Sequence, residues 1–194
     1  MPFQNGYRGV VGGSVQTAVT DQPGVGVPGM LASASDFNFV DSIFVFETNG
    51  VAAGRGVQVS GSADDINPQL PSDSVIYPNV GSDAAAFGGI VVFEEHMQSD
   101  ENGNPGWAKG RIARVARRFR SGARVWVKAV EDVVVSTDTV NWVIVAPVDG
   151  SYAVGEFSPT ALAGGGAGTS VALTGVARWV VGGNAGQVAC LELL

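Results

Sequence analysis

The sequence predicts an all-β fold: a small β-barrel or sandwich body over residues 41–194, preceded by an extended N-terminal arm over residues 1–40 and carrying long loops. Three observations predict it. No window keeps apolar residues at helical spacing for three turns without Gly, Pro or β-branched runs, so helix should be scarce. Short runs rich in Val, Ile, Phe and Trp recur instead, each bounded by Gly, Asn, Asp or Pro, which is the pattern of a small barrel or sandwich. Finally, Arg124–Glu131 alternates: Val125, Val127 and Ala129 fall on one face, and Arg124, Trp126, Lys128 and Val130 on the other, as a half-buried strand requires.

Taken in order, the first forty residues are too rich in breakers and too poor in large side chains to form a core of their own; Pro23, Gly24, Gly26, Pro28 and Gly29 punctuate Val25, Val27 and Met30. This segment reads either as an extended arm or as one or two strands added to the main sheet. Strands are then expected at Ile43–Glu47, Val57–Ser60, Gly89–Glu94, Ile112–Phe119, Ala123–Glu131, Val140–Val145, Val171–Val181 and Val188–Leu193. Gly89–Phe93 is continuously apolar, so both of its faces should be covered. Asn67–Asp73, with Pro78 close behind, reads as a long loop, and Ala163–Thr169 as a flexible connector.

Charge is scarce and segregated. Only 15% of the 194 residues are charged, so Gly, Ser, Thr, Ala and Val must build much of the outside, and such a surface is often covered in use. The formal net charge of -7 opposes a protein whose whole surface seeks nucleic acid. Residues 1–101 hold twelve acids against Arg8 and Arg55, whereas Lys109, Arg111, Arg114, Arg117, Arg118, Arg120, Arg124 and Lys128 follow one another without an acid. These eight are expected in one hairpin. They either face acidic groups of a neighbouring chain, where Arg pairs carboxylates bidentately, or form a solvated strand face. A nucleic-acid role is disfavoured because Phe119 and Trp126 form no stacking motif.

No chemistry emerges from the motifs. His96 would share a strand face with Glu94 while Glu95 opposes them, which leaves one imidazole and one carboxylate, too few for a metal site. Asp100-Glu101-Asn102-Gly103-Asn104-Pro105 opens like a calcium loop, but Pro105 replaces the turn glycine and Arg111 the bidentate Glu, so it reads as a hairpin turn. The Gly-rich stretches lack Gly-Lys-Ser/Thr, no Gly-x-Ser-x-Gly occurs, and Asp64-Asp65 and Glu131-Asp132 oppose each other when extended. Cys190 is the single cysteine and has no mate for an internal disulfide. Catalytic, cofactor and metal residues are therefore expected to be absent. No basic segment followed by an apolar run opens the chain, and no stretch of roughly 18 apolar residues occurs, so the product is expected to be soluble, made in the cytoplasm and without a membrane partner.

Several stretches carry a resemblance. Gln4-Asn5-Gly6 through Ala32 with Gly26-Val27-Pro28-Gly29-Met30, then Ala86–Phe93 and Gly122–Val127, and finally Thr174–Trp179 leading through Gly186 to Leu191–Leu193, resemble the structural cement, or decoration, proteins of tailed bacteriophages. The resemblance implies a β-rich virion component on the outer capsid surface, made in the bacterial host. It would bridge major capsid protein subunits, stabilise the expanded shell, and act as a dimer or trimer without catalysis, cofactor or nucleic acid. On this reading the arm, Gln4 to Met30, and the loop Asn67–Pro78 lie across neighbouring subunits. The expected contact residues are Gln4, Tyr7, Arg8, Gln16, Met30, Arg114, Arg117, Arg118, Arg120 and Arg124. A second reading is a virion-attached module for carbohydrate or a host receptor, with Trp107, Trp126, Trp142 and Trp179 as platforms for sugar rings.

Overall fold

Alternating Val, Ile and Ala with Gly-rich turns leaves the chain one way to bury its apolar residues, which is to lay strands face to face. In a computed structural model the described residues are 26–33, 36, 39–60, 74–94, 97–99, 105–118, 122–164 and 168–194. Fourteen strands run through them. Five close a barrel in the order β1 (Val40–Val45), β4 (Ser74–Ile76), β3 (Gly56–Ser60), β5 (Phe87–Val91), β8 (Ile112–Arg117) and back to β1. All of its pairings are antiparallel except β1 with β4, where Phe44 stands opposite Ser74. Closure removes the open edges that a five-stranded sheet would otherwise present.

Three smaller sheets surround the barrel. One holds β11 (Phe157–Ser158), β10 (Asn141–Val145) and β12 (Thr169–Ala172); another β13 (Ala177–Val181), β14 (Val188–Leu193) and β9 (Arg124–Lys128); the third β2 (Val51–Ala52), β7 (Pro105–Trp107) and β6 (Gln98–Ser99). Two cores result. Ile43, Val45, Val57, Val75, Val91, Ala113 and Val115 fill the barrel, while Phe87, Ile90, Ala116, Val125, Val127, Trp142, Phe157, Leu191 and Leu193 pack between the barrel and the sheets outside it.

The expected double coverage of the Gly89–Phe93 run follows from this layering. Val91 points into the barrel and Ile90 into the outer core, and every residue of β5 is buried. Gly89 makes the close approach possible. Its φ is +153°, and a Cβ there would run into the carbonyl oxygen of Ala116 on β8, so only glycine fits beside a register shift between β3 and β5.

The structure also revises the sequence reading of several segments. The run Val171–Val181 divides into β12 and β13 at a turn through Thr174, Gly175 and Val176. The loop expected over Asn67–Pro78 ends in β4, whose Ser74–Ile76 is a barrel strand; residues 61–73 lie outside the described residues. The basic run does not form one hairpin: β8 pairs with β1 and β5 in the barrel, whereas β9 pairs with β14. The calcium-like stretch lies between the antiparallel strands β6 and β7, as a hairpin turn would, with residues 100–104 outside the described residues, as are Glu95, His96 and residues 165–167.

Candidate interaction surface

Residues 26–32 belong to the stretch read as an arm, and they lie on the body of their own chain. Gly29 N–H donates to Trp126 O at 2.6 Å, Trp126 N–H to Met30 O at 2.9 Å, and Ala32 N–H to Arg124 O at 2.9 Å, with Leu31 bridged antiparallel to Val125. This strap thereby continues the β13–β14–β9 sheet by one short strand. Phe93 N–H donates to Gly29 O at 2.8 Å on the other side, which ties the strap to the end of β5. Gly29, at a φ of +87°, crosses Gly54 so closely that a Cβ would sit 2.8 Å from its amide nitrogen. Gly26 lies flat on the indole of Trp126, 2.7 Å from Cγ if it carried a Cβ.

Of the residues expected at the interface, Gln4, Tyr7, Arg8, Gln16 and Arg120 lie outside the described residues. Met30 is half-buried in the strap, and its amide donates to Val27 O at 2.9 Å. Arg117 ends β8 opposite Gly89. Arg118 clamps the turn before β5: one guanidinium nitrogen donates to the carbonyls of Ala84 at 2.6 Å and Ala85 at 2.8 Å. Arg114 Nε meets Glu94 Oε1 at 3.3 Å. Arg124 donates through Nε and Nη2 to Glu192 Oε1, each at 3.2 Å.

Glu192 is the member of this set that sequence reasoning missed. It is 7% exposed and sits directly between Arg178 of β13 and Arg124 of β9 in the strand register. Arg178 Nε donates to Oε2 at 2.6 Å. Burial pushes its pKa up, but hydrogen bonds and charge from Arg178 and Arg124 outweigh burial and hold the carboxyl below its ordinary value. Glu156 plays the same part nearby: it too is 7% exposed, with Arg55 Nη2 and Lys128 Nζ each 3.8 Å from Oε1. Two of the eight residues of the basic run, Arg124 and Lys128, thus meet buried acids of the same chain, as do Arg178 and Arg55 from outside the run, and Arg124, Arg178 and Lys128 keep more than half of each side chain exposed above them. Only the strand order brings Arg178, Glu192 and Arg124 together, and no spacing in the sequence announces it.

Two of the four tryptophans are buried and the other two half-buried. Trp142 and Trp179 are buried in the outer core, Trp107 packs against the barrel core, and Trp126 lies beneath Gly26. An aromatic face must be open to stack on a ring, so the buried Trp142 and Trp179 cannot serve as platforms, and Gly26 takes one face of the half-buried Trp126. Among the described residues no group of three or more His, Cys, Asp or Glu is placed to hold a metal ion. Cys190 is buried, and desolvation pushes its thiol up to about 12, well away from a reactive thiolate.

Comparison with known proteins adds an independent finding. The profile of a family described as Structural cement protein (E217 gp24/Pam3 gp6) matches residues 15–194. Among solved structures, the chain is similar to one from the capsid of Myoviridae Phage XM1, at 17% identity and a TM-score of 0.52, covering 92% of this chain and 94% of that one. A second similarity, at 15% identity and a TM-score of 0.36, is to the head fiber gp8.5 N base of bacteriophage phi29, covering 80% of this chain and 94% of that one. No curated protein matches.

Proposed function

The chain belongs to the structural cement proteins of tailed bacteriophages, a structural and non-catalytic family, and from that premise we propose that it binds the outer surface of the capsid lattice and bridges major capsid protein subunits. The observation that carries this reading is the family match over residues 15–194. The construction of the body supports it: a closed barrel and tied-down sheets give a rigid block, and a strap along β9 fixes the point from which residues 1–25 begin. Backbone hydrogen bonds and small apolar contacts spread over several subunits add up on a lattice, because each contact after the first is intramolecular. Neighbouring copies side by side, as a dimer or trimer, belong to the same reading, with the exposed guanidinium of Arg124 and the side chain of Arg114 setting register more than affinity.

Removal of residues 1–25 tests the reading. Residues 26–32 are hydrogen-bonded to the body and are left in place, so the body keeps its fold. The full chain should cosediment with empty expanded shells and raise their resistance to heat, and the shortened chain should do so weakly. Equal retention of both would remove the arm from the reading, and no retention of the full chain would remove the reading itself.

A further inference from the structure

We propose that neighbouring copies join tip to cleft, the Val148–Asp149 turn of one chain entering a cleft beside Lys128 of the next; the proposal rests on the reading that copies sit side by side. The cleft, about 170 Å³, has apolar walls from Val27 and Pro28 of the strap and Pro105 of β7. Its charged side holds Arg55, Lys128 and Glu156, and Arg55 also donates to Val154 O at 3.2 Å. Two cations face one carboxylate there, each at 3.8 Å, and Lys128 keeps half of its side chain exposed. The site is therefore one negative charge short of neutral, in a chain whose formal net charge is -7.

The entrant that fits is an apolar side chain next to a single carboxylate, and the chain carries one. Val148 is 86% exposed, so it does not occupy the cleft of its own chain. It stands at the head of a tight turn closed by Gly150 N–H to Pro147 O at 3.1 Å. Asp149 beside it accepts the Ser151 amide at 2.9 Å and the Ser151 hydroxyl at 2.7 Å, both on Oδ1, so the turn is preformed and Oδ2 is left for another donor. The comparably exposed Val80, at 83%, is followed by Gly81 and Ser82 and has no carboxylate beside it. A tip that meets a different patch on its neighbour is a heterologous contact, which propagates from copy to copy until geometry closes it. On a shell, the underlying lattice supplies that geometry.

Two variants of the full chain that each add one cysteine, Val27→Cys in the cleft wall and Val148→Cys at the tip, decide the matter; the native Cys190 is buried and does not compete. Mixed in concentrated solution and, separately, on empty shells, they should give a disulfide-linked heterodimer under mild oxidation. Its yield should exceed the homodimer of either variant alone by about tenfold, as expected for groups held at high effective concentration. Adding Asp149→Asn to the tip variant should reduce the yield while the Ser151 bonds persist. Heterodimer no more abundant than the homodimers, in both settings, overturns the tip and cleft even where shells retain both variants. Failure of the unsubstituted chain to stay on shells overturns the functional reading instead, and the solution arm still decides the contact.

Discussion

Glu192 shows how a single buried acid can organise an exposed face. Two guanidiniums more than half exposed would repel each other across three strands without the carboxylate that stands between them. Replacing it by the isostere in Glu192→Gln should lower stability at pH 7 by about 1 kcal/mol, the usual worth of largely solvent-screened charge-assisted bonds. The pH dependence has a definite sign. The folded carboxyl titrates below its ordinary value of 4.5, so its contribution is present above that value and is lost as pH falls through the lower folded one. Thermal melts of the two proteins should therefore converge at low pH, and a gap that stays constant down to pH 3 would contradict the assignment. Gly89→Ala tests steric necessity at the same scale. Strain at positive φ together with a Cβ driven against the Ala116 carbonyl should cost about 3 kcal/mol, or roughly 6–12 °C in Tm for a chain of this size.

The strap and the short strands show where sequence patterns stop being readable. The eight expected strands each overlap an observed one, though β1, β3 and β5 begin one to three residues earlier than expected, because runs of Val, Ile and Trp against Gly-rich turns are a signal that survives in any tertiary context. β2, β4, β6, β7 and β11 have only two or three residues each, too few for alternation to show, and their pairing is dictated by neighbours already in place. The basic run misled for a related reason: β8 and β9 follow one another in sequence but part into barrel and outer sheet, so nearness in sequence did not become a hairpin. The first forty residues were legible only as two alternatives; residues 26–32 hydrogen-bond along β9, and residues 1–25 lie outside the described residues. Deleting residues 1–33 should strip hydrogen bonds from β9 and Phe93 and uncover Trp126. After the entropy of ordering the strap is set against them, the net loss should be roughly 2 kcal/mol. Deleting residues 1–25 should leave the melting temperature unchanged, so calorimetry separates the strap from whatever the preceding residues do on a shell.

At the scale of the molecule, the proposed function asks for a stiff body with weak, distributed adhesion. The barrel closes through β1 and β8, strands far apart in sequence, and β9 waits for β14 at the far end of the chain, so the fold is held by non-local pairings that are slow to form and, once made, resist local opening. Rigidity matters because a flexible connector would let each contact on a lattice break independently, whereas a stiff block must lose several together. Arg124 and Arg178 share Glu192, and Arg55 and Lys128 share Glu156, so each of these four cations is already engaged within its own chain and offers only a partial charge to any single partner. Its affinity for one isolated capsid subunit should therefore be low, and its residence on an assembled shell long. The expected ratio is about a hundredfold or more, within the gain that linked sites give without any new contact. Comparing dissociation of labelled protein from intact expanded shells and from dissociated capsid subunits in the same buffer checks this: similar off-rates from both would mean that one strong site does the binding and that distributed adhesion is the wrong physics for this chain.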